Sequence, residues 1–76
     1  MEGVELSPNI ERAADKLLAQ IARADSMIIA AKAGAKAEGF VYGLESAHAL
    51  PASTIDKLYV IFDTATEDRL RSLASS

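Results

Sequence analysis

The chain has no cysteine and no tryptophan, one histidine and two prolines among 76 residues. Without cysteine it can form neither disulfides nor thiolate metal sites. With His48 as the one imidazole, paired-histidine metal centres are excluded, and a nucleophile would have one candidate histidine base. Ser46 stands two positions from it, and on a helix the two side chains diverge. The plain reading of His48 is a helix-end residue facing terminal carbonyls or solvent. Nucleophile, base and orienter are not present together, so the expectation is a protein that is not an enzyme.

Aromatic side chains are also scarce: Phe40, Tyr42, Tyr59 and Phe62 are all there are. Alanine supplies much of the apolar half of the chain, so each core side chain removes little area from water, at roughly 25 cal/mol per Å². A single small domain of such thin side chains is near the limit of what one core sustains, and association with a copy of itself is the simplest remedy. The formal charge of −3 and pI of about 4.9 argue against broad electrostatic binding of nucleic acid. No signal-peptide pattern opens the chain and no run of about 20 apolar residues follows, so the expectation is a cytoplasmic protein that does not enter a membrane.

The pattern that is present is helical. Ser7-Pro8 is a start signal, and from Ile10 the apolar residues Ala14, Leu17, Ile21, Ala24, Ile28, Ala31 and Ala35 recur at steps of four and three. Arg12, Asp15, Lys16 and Arg23 occupy the opposite face. No proline interrupts until Pro51, which predicts one long helix over 8–49 after a flexible lead-in at 1–6. A second helix is expected over 53–74, with Ser53 as a cap and Ile55, Leu58, Tyr59, Phe62, Ala65, Leu70 and Leu73 on its apolar stripe. Thr66 is the one polar residue on that stripe. A strand reading of Leu58–Phe62 is weaker, because the flanking residues continue the helical phase.

These elements predict a single all-α domain: an antiparallel helical hairpin of one long and one shorter helix, assembling into a homodimeric or higher bundle. The competing solution is a break at Ala24-Asp25-Ser26, where Asp25 or Ser26 caps a new helix and gives a three-helix bundle. In the hairpin, Ile10, Leu17, Ile21, Ile28, Val60 and Ile61 lack cover and are candidates for self-association. Ala31, Ala35, Gly39, Gly43 and Ala47 form a ridge of small residues at i, i+4 spacing, which would seat the shorter helix closely. Gly39 and Gly43 match the pattern of membrane helix dimers, but Lys32, Lys36, Glu38 and Glu45 remove that reading.

Two ligand readings remain. Lys32 and Lys36, one turn apart and joined by Tyr42 and Tyr59, could hold an anionic, nucleotide-like molecule, with Arg12, Lys16 and Arg23 as auxiliaries from another chain. The carboxylates Asp56, Asp63, Glu67 and Asp68 are explained by a solvated helix face, with Arg71 four residues after Glu67, so no metal and no cofactor is expected. In size and style the chain resembles the small helical regulatory proteins of phages and mobile elements, without a motif that ties it to a family. The functional expectation is therefore stoichiometric binding to a partner protein, as an inhibitor, antagonist or adaptor. Oligomeric sequestration of a small anion is the alternative.

Overall fold

The computed structural model describes residues 3–75. Three helices pack around one core: α1 (Pro8–Arg23), α2 (Met27–Ser46) and α3 (Ala52–Ser75). The chain is all-helical as its periodicity implied, but the long helix of 8–49 is divided. It ends at Arg23 and resumes at Met27, the three-helix alternative. A continuous rod of that length, roughly 60 Å, would have left Leu17 and Ile21 uncovered. Folding back instead buries Ala14, Leu17 and Ile21 against Ala37, Val41, Ile55, Leu58 and Phe62 of the same chain.

The break has local causes. Ser26 is extended (φ −146°) and its hydroxyl oxygen accepts from the Ile29 N–H at 3.2 Å, capping α2. Arg69 of α3 donates from Nε to the Ala24 carbonyl at 2.8 Å, holding the end of α1 to the third helix. Ser7, by contrast, makes no side-chain cap, and α1 starts on Pro8 alone. Ser26→Ala should therefore lower stability by about 1 kcal/mol, whereas Ser7→Ala should change it by less than about 0.5 kcal/mol, as urea unfolding would measure.

At its other end α2 closes in a Schellman turn. His48 takes a left-handed conformation (φ 53°), its N–H bonds to Glu45 O, and the Ala49 N–H bonds to Leu44 O. The histidine thus shapes a backbone turn at a position that glycine usually fills. Pro51 then reverses the chain, its carbonyl accepting from Thr54 and Ile55. Because α3 begins at Ala52, the expected cap Ser53 lies inside the first turn.

The lead-in is likewise more engaged than its sequence suggested. Val4 is buried with the core and Leu6 packs against it, so positions 4 and 6 add to the small apolar interior. Residues 1 and 2 lie outside the described residues.

Candidate functional site

The row of small residues does not seat α3. Ala31, Ala35, Gly39, Gly43 and Ala47 are all exposed, and a Cβ built on Gly39 or Gly43 would meet nothing within 4 Å. The buried face of α2 is the neighbouring row Ala30, Gly34, Ala37 and Val41. There Gly34 lies so close to α3 that a Cβ would come 2.6 Å from Thr66 Oγ1. Small residues occur on both faces of α2, so their spacing could not tell which one faces inward. The neighbouring helices decide that.

The consequence is an outward apolar face. Ile28, Ala35 and Tyr42 follow one another at intervals of seven along its centre line, with Ala31 and Gly39 between them. Ile28 is 68% exposed and Tyr42 66%, values that no core packing accounts for. Met27 and Ile29 add further exposed apolar surface at the helix start.

Of the expected self-association residues, Leu17 and Ile21 are sealed in the chain's own core and can meet no other chain. Ile10 is half-buried on α1, and Ile61 packs against the core. Ile28 and Val60 remain exposed, but on different helices: Ile28 belongs to the outward face of α2, and Val60 borders a groove with Gly3, Val4 and Lys57.

The two edges of the apolar face differ in charge. On the side toward α1, Lys32 and Lys36 join Arg23, Gln20 and Asp25 around an open cleft of about 440 Å³. Lys36 Nζ lies 3.4 Å from Gln20 Oε1, and Lys16 borders the same seam one turn further along α1. Arg23 and Lys16, expected to come from another chain, thus lie along the same seam as Lys32 and Lys36 of their own chain, whereas Arg12 does not line it.

On the side toward α3, Tyr59 donates its phenolic hydrogen to Glu45 Oε1 at 3.1 Å. Its phenol titrates above the ordinary 10.0, first because burial disfavours the phenolate, then because Glu45 holds the proton and the charges on Glu45 and Glu38 oppose a further anion. Tyr42, the other tyrosine, adds the smallest part of that rise at Tyr59. They lie toward the acidic edge, and neither borders the cleft that Lys32 and Lys36 line. The four expected ligand residues therefore form two separate groups.

His48 stands with Glu45 and Asp56 at the α2–α3 turn, in a smaller hollow of about 250 Å³. Among the described residues, no group of three or more histidine or carboxylate side chains comes together as metal ligands. Among those residues, too, no helix is long and apolar enough to cross a membrane. Comparison with protein-family models, with curated proteins and with solved structures finds no match to this chain.

Proposed function

We propose that the chain is a small, non-enzymatic, cytoplasmic protein-binding module that acts stoichiometrically, as an inhibitor, antagonist or adaptor, through the outward face of α2. The observation that carries this reading is the exposure of Ile28 and Tyr42 on a face otherwise made of alanine and glycine. Such a face is smooth enough for another backbone to approach closely, and large side chains at its ends supply contact area. Apolar surface concentrated on one helix face, rather than scattered, is the usual mark of a docking surface. A nucleotide site is less well supported, because the tyrosines that might stack on a base lie apart from the cationic cleft.

The reading is tested by placing a photoreactive amino acid at Tyr42 and, separately, at Thr64, an exposed position on α3. Illumination in the native host should give a discrete cross-linked protein from position 42 and none from 64. Equal products from both positions, or none from either, would overturn it.

A further inference from the structure

We infer that the first occupant of the α2 face is a second copy of this chain, the two α2 helices lying parallel about a twofold axis. This deepens the docking reading and rests on it. The argument is one of charge complementarity across three adjacent strips.

The apolar strip in the centre is Ile28, Ala35 and Tyr42, with Ala31 and Gly39 between them. Along its α1 edge runs a basic strip. Lys32 and Lys36 come from α2 and Lys16 and Arg23 from α1, Arg12 standing one turn before Lys16. Asp25 is the carboxylate at the end of that cleft. Along the α3 edge runs an acidic strip. Glu45 is fixed there by its bond to Tyr59, and Glu38 stands two turns earlier on the same flank. Asp63 and Glu67 continue the Tyr59 side of α3 at successive turns, and Asp56 lies beside Glu45. Each of these charged side chains is exposed.

A twofold axis parallel to α2 sets the basic edge of one copy against the acidic edge of its partner, and does so twice. An axis perpendicular to α2 sets basic against basic and acidic against acidic. The strips therefore select both the partner and its orientation, since a matching pair of edges is present on the chain itself. The 20 residues of α2 extend about 30 Å, and over the full 22 Å width of the molecule the three strips together offer at most roughly 600 Å² per copy. Two such faces come to at most roughly 1,200 Å² in total, the lower end of the range for specific interfaces.

The experiment uses the full chain. Sedimentation equilibrium at about 100 µM, well above a micromolar dissociation constant, should return twice the chain mass of 8.1 kDa. The charge-reversed variants K32E/K36E and E38K/D63K should each self-associate at least tenfold more weakly, and their mixture should recover the dimer.

Because the chain has no cysteine, Ile28→Cys and Tyr42→Cys report orientation cleanly. In the parallel arrangement each becomes disulfide-linked to its own copy under mild oxidation, faster than Lys57→Cys on α3. A wild-type mass of 8.1 kDa overturns the proposal. So does a mixture in which Ile28→Cys links only to Tyr42→Cys, which marks the antiparallel pair. A monomeric chain that still yields a foreign cross-linked protein from position 42 removes the second copy as occupant and leaves the docking reading standing. Neither product removes both.

Discussion

Gly34→Val should destabilise the fold by about 3 kcal/mol, the upper end of the ordinary cost of overpacking. A Cβ at this position would come within 2.6 Å of Thr66 Oγ1 and 2.7 Å of Thr66 Cγ2. Either distance forces α2 and α3 apart or drives Thr66 from its rotamer, where its hydroxyl donates to Phe62 O at 2.8 Å. Branching at Cβ leaves threonine no staggered position that clears the space completely.

Alanine separates the causes. Gly34→Ala gains up to about 1 kcal/mol of helix propensity and should still be destabilising, because it carries the same Cβ. Combined with Thr66→Ala, which removes both close atoms, it should recover most of the loss, with a coupling of at least about 1 kcal/mol in a double-mutant cycle by urea unfolding. Additive effects would mean that the two helices do not meet at this pair. Gly39→Ala supplies the control. Its added Cβ meets nothing within 4 Å, so measured on dilute protein it should raise stability by about 0.5 to 1 kcal/mol.

Phe62→Ala should cost about 3 to 5 kcal/mol. Phe62 is fully buried, the largest such side chain in the core, and its ring meets Phe40 edge-on with centroids 6.5 Å apart. A chain of this size is typically stable by roughly 4 to 11 kcal/mol, so the variant should be close to half unfolded if the wild type sits at the low end. The neighbours of Phe62, Leu17, Ile21, Val41, Ile55 and Leu58, are themselves buried in that core, so they can close over the space only in part. Circular dichroism during thermal melting should show a midpoint lowered by well over 10 °C. A midpoint within a few degrees of wild type would mean that Phe62 is not the centre of the core. Phe40→Ala, at a half-buried position, should cost markedly less.

Much of the secondary structure was legible. The start at Pro8 and the stripe Ile55, Leu58 and Phe62 follow from backbone chemistry and a 3.6-residue period and are where the structure places them. The helix expected to run to position 49 instead ends at Ser46, in the turn around His48. The division of the long helix was visible only as an alternative, because the apolar steps from Leu17 through Ile21 and Ala24 to Ile28 run on without interruption. Periodicity records which positions share a face of a helix, and it does so whether or not the helix stops. Ser26 and the reach of Arg69 to the Ala24 carbonyl end it, and the latter joins residues 45 positions apart.

The candidate surface was half legible. The ridge from Ala31 to Ala47 is conspicuous in the sequence, but it faces outward and does not seat α3. Gly34 and Thr66, the pair that does form the close approach, each carried a signal: a glycine inside a helix, and a polar residue on an apolar stripe. Nothing in one dimension joins them.

By itself, then, the sequence determined an all-helical chain, its apolar stripes and its lack of cysteine beside a single histidine, because these depend on residue type and short-range spacing. Only the tertiary structure decided that Leu17 and Ile21 are spent on the chain's own core while Ile28 and Tyr42 face outward. It also gathered Arg23 with Lys32 and Lys36 on one edge and joined Glu45 to Tyr59 on the other. The physical reason is that a helix such as α2, with small and apolar residues on opposite faces, has no preferred inside. Its inner face is chosen by the helices that fold against it, and what they leave uncovered is the surface it offers.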